Sequence, residues 1–292
     1  MVLSGLLLIM ALAFAASCGG FSEDKRLAVG DIGWDENVAV SNLTKALLEE
    51  ELGYGNVQLR TLDVDSLFEQ VASGDLDAFQ DVWLPNLQQH VNEVEDDVEL
   101  LDPWFQGQTS FGIAVPSYVG ITSIPQLNQT DAREILGIEP GAVISERIPD
   151  SVIPTYGLEQ EYVESSTAGM LAEVEARYNN GEDFALVAWS PHWMNQRYDY
   201  RLLEDPEDAL GNLNDPAQIT MMVNEDLPDD DPVAYAFLEA LTLTEEQGND
   251  LQDTINEGWA TRWWARGSGG RTTARRRTAL DRRRRVGPGA LR

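Results

Sequence analysis

Cysteine occurs once in this 292-residue chain, at Cys18, and histidine twice, at His90 and His192. A structural zinc site needs several thiolate or imidazole ligands, so that chemistry is excluded. A single cysteine allows no internal disulfide, and the folded chain must draw its stability from its core. Lysine is equally scarce, at Lys25 and Lys45 only. There is no Gly-x-Ser-x-Gly elbow, no His-Glu-x-x-His pair and no Gly-Lys-Ser/Thr phosphate loop, so the sequence carries no common hydrolase, metalloprotease or nucleotide signature. Carboxylates are abundant enough for a two-carboxylate hydrolase. They lie mostly in runs such as Glu93 to Asp97 and Asp229 to Asp231, which read as solvated surface. No catalytic residue, metal ligand or cofactor is assigned.

What is present is acid. The formal net charge is −30, and the distribution is uneven. Eleven arginines lie from Arg262 onward with one acid, Asp281, so residues 1–261 hold nine basic and 49 acidic residues, a net of −40. Such a body repels phosphates, and nucleic acid is not an expected partner. The acid surface fits adaptation to high salt, where screening makes it tolerable; it equally fits a solvated face that only aids solubility. The segment 265–292, with Arg275 to Arg277 and Arg282 to Arg285 after Gly267-Ser268-Gly269-Gly270, reads as a disordered basic tail. It is able to touch anionic lipid or the acidic body, and read-through or frameshifted coding sequence is the favoured account of it.

Met1 to Ala16 is almost wholly apolar and ends in Ala15-Ala16-Ser17-Cys18. It is shorter than the ~20 residues a membrane-spanning helix needs and has the make-up of a signal-peptide core. Residues 1–17 are expected to be a lipoprotein signal peptide, Cys18 a lipidated N-terminus resembling a bacterial lipobox, and 18–26 a linker. The expected location is the outer face of the cytoplasmic membrane, or the periplasm, with the lipid as the only membrane contact.

Strand-like runs alternate with helical patterns along the body. Leu27 to Ile32, Val57 to Leu62 and Asp77 to Trp83 read as strands; Val38 to Leu52 and Val64 to Ala72 read as helices stopped at Gly53 and Ser73-Gly74. This order predicts a mostly parallel, doubly wound α/β sheet. A second α/β set follows, with strands at Phe111 to Val115, Ile135 to Ile138, Tyr162 to Glu164 and Phe184 to Trp189 and a helix at Ala168 to Tyr178. Strand Gln218 to Val223 and helices at Pro232 to Leu241 and Glu245 to Glu257 close the body. The expectation is two lobes, 27–115 plus 217–260 and 116–216, with chain crossings near Ala114–Pro116 and Pro216–Ile219 forming a hinge. Ligands of open α/β sheets lie beyond the carboxyl ends of the strands, which here face the cleft.

Four aromatics stand at or just past predicted strand ends: Trp34, Trp83, Tyr118 and Trp189. Singly, each is compatible with a core aromatic. Contributed to one cleft by both lobes, their faces suit a bulky, weakly hydrated cation that donates no ordinary hydrogen bond, at about 0.5–2 kcal/mol per desolvated face.

Gly33-Trp34-Asp35-Glu36, Leu48-Glu49-x-x-Leu52-Gly53-Tyr54, Gly74-Asp75-Leu76-Asp77, Trp83-Leu84-Pro85, Val115-Pro116-Ser117-Tyr118, Glu139-Pro140-Gly141-Ala142, Ser165-Ser166-x-x-x-Met170-Leu171 and Trp189-x-Pro191-His192 occur in this order. Over about residues 27–258 the series resembles the glycine betaine/choline substrate-binding family of ABC importers. The resemblance implies a two-lobed periplasmic-binding-protein fold, type II-like. It also implies a quaternary ammonium ligand (betaine before choline), and delivery to a membrane permease driven by a cytoplasmic ATPase, the binding protein itself being monomeric and not an enzyme. It implies an aromatic cage of Trp34, Trp83, Tyr118 and Trp189. Glu36 is either an acid near the cation or a helix N-terminal acid favoured by the dipole. Gly141 and Ala142 offer backbone N–H groups to a ligand carboxylate or form a tight turn. His192 donates to the same carboxylate or caps a turn. Some relatives carry a histidine where Leu87 stands, with His90 displaced. An extracytoplasmic hydrolase of an osmolyte or sugar, and a ligand-sensing subunit of the same fold, are the alternative readings.

Charge alone generates one test. Screening of the acidic body predicts a melting temperature that rises from low salt to molar KCl, where the Debye length falls to ~3 Å; a flat curve leaves only the solubility reading.

Overall fold

The computed structural model describes residues 25–256. The signal peptide, Cys18, most of the linker and the basic tail lie outside the described residues. In chain order the strands are β1 (Arg26–Asp31), β2 (Asn56–Thr61), β3 (Ala78–Leu84), β4 (Val98–Leu100), β5 (Ser110–Pro116), β6 (Glu134–Leu136), β7 (Glu161–Val163), β8 (Ala185–Ser190), β9 (Tyr200–Leu202) and β10 (Gln218–Asn224). They form two five-stranded sheets, ordered β2-β1-β3-β10-β4 and β7-β6-β8-β5-β9. Both lie in the unit that ends at Asp253.

The sheets share one plan. Each begins with three parallel strands, β2-β1-β3 in the first and β7-β6-β8 in the second. Each is then crossed by one antiparallel strand, β10 against β3 and β5 against β8, which in turn pairs antiparallel with a short outer strand. The helices linking the parallel strands of the first sheet, α1 (Asp35–Glu50) and α2 (Val64–Ala72), start and stop where local chemistry sets them. Asp63 caps α2 by accepting the Ser66 N–H at 2.8 Å, and glycines with positive φ follow both helices at Gly53 and Gly74. A short helix α3 (Gln88–Val94) follows β3.

The central strands are buried on both faces, so Phe79 and Val82 of β3 and Leu186 and Val187 of β8 have almost no exposure. That explains why these strands read as near-continuous apolar runs. The first crossing is earlier than the sequence led us to expect. Strand Ser110–Pro116 hydrogen-bonds to β8 and β9, so it belongs to the second lobe rather than to the end of the first. An apolar run states that a strand is buried, not which sheet receives its hydrogen bonds. The two connecting segments lie side by side: the Thr109 hydroxyl donates to the Ala217 carbonyl at 2.9 Å, and the Ala217 N–H donates back to the hydroxyl at 2.7 Å. No helix among the described residues is long and apolar enough to cross a membrane.

Phe79 is wholly buried in the first sheet. Phe79→Ala is expected to cost about 3–5 kcal/mol of unfolding free energy in denaturant titration, from lost burial and the cavity left behind.

Candidate functional site

Gly33 makes the turn that starts the site. Its φ of +89° lies in the left-handed region open to glycine, and its N–H donates to Asp31 Oδ1 at 2.7 Å. The Ile32 N–H donates to Asn37 Oδ1 at 2.8 Å. These bonds fix the approach to α1 so that Trp34 takes the N-cap position with Asp35 and Glu36 in the first turn. In the other lobe Trp189 sits near the end of β8, as Trp83 does near the end of β3. β3 and β8 hold equivalent places in their sheets, and each Trp is followed by a residue and then a cis proline, Pro85 and Pro191.

These elements enclose one cavity. The first lobe supplies Trp34, Glu36, Trp83, Asn86 and Leu87; the second supplies Phe111, Ile138, Ala142, Val143, Trp189 and Leu213. The three indoles are between 2% and 7% exposed. Phe111 bridges two of them, with ring centroids 6.1 Å from Trp83 and 6.5 Å from Trp189. Glu36 is the only ionisable group in the lining. Its Oε2 accepts the Trp189 indole N–H at 2.9 Å, a bond from one lobe to the other. The Trp83 indole N–H donates to Asp81 Oδ1 at 3.1 Å. The buried Trp34 indole nitrogen has no hydrogen-bond partner among the described residues.

The neighbouring Asp35 also reaches across the cleft. It accepts the Trp193 indole N–H, and its Oδ2 lies 3.2 Å from His192 Nε2. His192 is fully buried and its Nδ1 accepts the Met194 N–H at 3.0 Å, which assigns the ring proton to Nε2. Burial lowers its pKa, against the opposing pull of Asp35, and the imidazole is held neutral. Its ring meets Trp189 edge-on at 4.5 Å. His192 therefore props an indole and bonds the protein through Nδ1, while its Nε2, near Asp35, makes no hydrogen bond among the described residues.

Tyr118 does not join the cage. It is 47% exposed, packs on Tyr178 at 5.7 Å and donates its hydroxyl to the Glu182 carbonyl at 2.6 Å. The reason is strand direction. β5 runs antiparallel to β8, so its start lies beside Trp189, with Phe111 opposite Trp189 in register, while its end carries Tyr118 to the far edge. Gly141 forms a turn with φ +86° and is not part of the lining. Ala142 is, but its N–H is turned to the Glu139 carbonyl at 3.3 Å. His90 lies outside the cavity, stacked near Phe68 with Nε2 3.3 Å from Asp65, and Leu87 occupies the lining as its position in Trp83-Leu84-Pro85-Asn86-Leu87 implies. Phe111, Asn86 and Asp81 were missed from sequence. Only Asp81 left a signal, as half of a polar pair, Gln80-Asp81, inside a strand buried from Ala78 to Trp83.

Burial is the dominant cause of a Glu36 pKa raised from 4.5 to about 8, opposed by the Trp189 hydrogen bond and reinforced by Asp35 and Glu139. Between those two values the folded chain keeps a proton that the unfolded chain has lost, so stability falls as pH rises through the window. Glu36→Gln keeps an acceptor for Trp189. It is expected to melt a few degrees above the parent at about pH 8 and level with it at about pH 4; an equal difference at both pH values would show that folding does not raise the Glu36 pKa.

The family of substrate-binding domains of ABC-type glycine betaine transport systems matches residues 25–265. The chain is similar to the glycine betaine/carnitine transport binding protein GbuC of Listeria monocytogenes, at 29% identity over 136 residues, 46% of this chain and 43% of that protein. The alignment thus spans less than half of that curated relative. Among solved structures, lactococcal OpuAC in its closed, liganded conformation with glycine betaine matches with a TM-score of 0.71 and 27% identity, covering 84% of this chain and 96% of that one. The glycine betaine/L-proline-binding protein of Borrelia burgdorferi matches with a TM-score of 0.71 and 25% identity, covering 80% and 88%. With the family matching most of its length, the chain belongs to the substrate-binding domains of ABC-type glycine betaine transport systems.

Proposed function

We propose that this chain captures a quaternary ammonium compound between its lobes, outside the cytoplasm, and passes it to a membrane permease driven by a cytoplasmic ATPase. Cys18 is the lipid-anchor residue in this reading. The carrying observation is one buried cavity faced by Trp34, Trp83 and Trp189 from both lobes, with Glu36 as its single ionisable group. A trimethylammonium group has no N–H to donate, and indole faces attract it without a directed bond. Closure around it excludes water, which strengthens each face and the carboxylate alike. Asn86, whose amide both donates and accepts, is the polar side chain able to meet a ligand carboxylate or hydroxyl. Glycine betaine leads the candidates, choline follows, and carnitine and proline betaine complete the panel.

Calorimetry against that panel tests the reading, with binding expected near micromolar, about −8 kcal/mol. Trp83→Ala and Trp189→Ala are each expected to weaken binding by about tenfold or more while circular dichroism stays that of the parent. No heat from any ligand at millimolar concentration sinks the assignment, and unchanged affinity in both variants removes the cage.

A further inference from the structure

Glu36 in the cavity lining and Asp81 behind Trp83 are two carboxylates with no cation beside them among the described residues. Glu36 is 2% exposed and Asp81 fully buried. Glu36 Oε2 holds the Trp189 indole and Asp81 Oδ1 holds the Trp83 indole, while Asp81 Oδ2 has no hydrogen-bond partner among the described residues. Among the described residues neither forms an ion pair with lysine, arginine or histidine. The charged groups that act on the pair are themselves acids: Asp31 at the end of β1, Asp35 beside Glu36 on α1, and Glu139 from the second lobe. His192, from beyond β8, packs against Trp189 and faces Asp35, and it is neutral. Ionising both carboxylates in this setting leaves two uncompensated charges out of water, an arrangement proteins avoid by holding a proton or by binding a cation.

We propose that a net-cationic ligand enters the closed site in exchange for a proton held by the Glu36–Asp81 pair, whereas a zwitterion enters without that exchange. The inference rests on the quaternary ammonium reading and adds its proton balance. The empty site carries a carboxylic acid; choline binds to the carboxylate, and the proton leaves to solvent buffer. Glycine betaine brings its own carboxylate, so the charge of the occupied cavity is already balanced with the proton kept. Asp81 is a positioning residue here: it orients Trp83 through one oxygen, and the neighbouring charge of Glu36 favours its protonated form. Both acids have raised pKa values with burial as the first cause, Glu36 to about 8, and the charge of Glu36 is the next cause at Asp81.

The test is calorimetry of the whole chain with choline chloride and with glycine betaine in two buffers of different ionisation heat, repeated across pH. Choline is expected to release about one proton per site at about pH 7, and to bind about tenfold more tightly per pH unit up to about pH 8. Glycine betaine is expected to release clearly fewer protons and to show a flatter profile. Glu36→Gln should abolish the release and the pH dependence of choline binding. Asp81→Asn, which keeps an acceptor for Trp83, should move the choline profile to lower pH and shrink the release at about pH 7; a purely structural Asp81 would change affinity without moving the profile. Choline binding with no proton release and a flat profile overturns the inference while leaving the ligand class intact. So does glycine betaine binding with no choline binding at about pH 8.5, where the exchange should favour the cation most. Failure of both ligands at every pH sinks the ligand class and the exchange together.

Discussion

The first turn of α1 places two adjacent carboxylates, Asp35 and Glu36, against the other lobe, and the rest of the site is arranged around them. Glu36 takes the indole N–H of Trp189; Asp35 takes that of Trp193 and meets His192 Nε2. These contacts join a helix start in one lobe to the segment after β8 in the other. A carboxylate at a helix N-terminus is favoured by the dipole, and enclosure by indoles opposes that by removing water. The balance leaves Glu36 as a buried acid whose pKa is raised by burial, in a cavity otherwise faced by rings, alkyl groups and the Asn86 amide.

The repeated sheet plan explains how three indoles reach one point. β3 and β8 occupy the same place in their sheets and end in the same Trp-x-Pro arrangement, so each lobe sends one indole inward from its third strand. Phe111 fills the space between them because the crossing strand of the second lobe starts there. The polar supports are buried and local: Asp81 is two residues from the indole it holds, and His192 three residues from the indole it props. Such supports fix ring orientation, on which attraction between an indole face and a cation depends.

Much of this was legible along the chain. Trp34, Trp83 and Trp189 were expected at the cleft because they stand at or just past the ends of parallel strands, and all three line the cavity. Helix α2 was read to the residue, with Ser73-Gly74 marking its end. The three-residue strands β4 and β9 were not seen: in each a charged residue, Glu99 or Arg201, separates the two apolar ones, so no apolar run marks them. Tyr118 was misplaced for a different reason: it follows a strand whose direction is opposite to that of its neighbour. Strand direction is settled by the pairing partner, and no residue near Tyr118 encodes it.

By itself, the sequence determined the kind of protein this is. Apolar runs alternating with helical stripes specify two α/β sets, and aromatics placed after the strands specify a site that wants flat, electron-rich walls. Both follow from local physics, the periodicity of burial and the chemistry of each ring. Tertiary structure alone decided which side chains meet. It moved β5 to the second sheet, replaced Tyr118 by Phe111, tied His192 Nδ1 to the Met194 N–H, and set Asp81 behind Trp83 within range of Glu36. Those outcomes depend on strand direction and on burial, and both are fixed only when distant segments pack together.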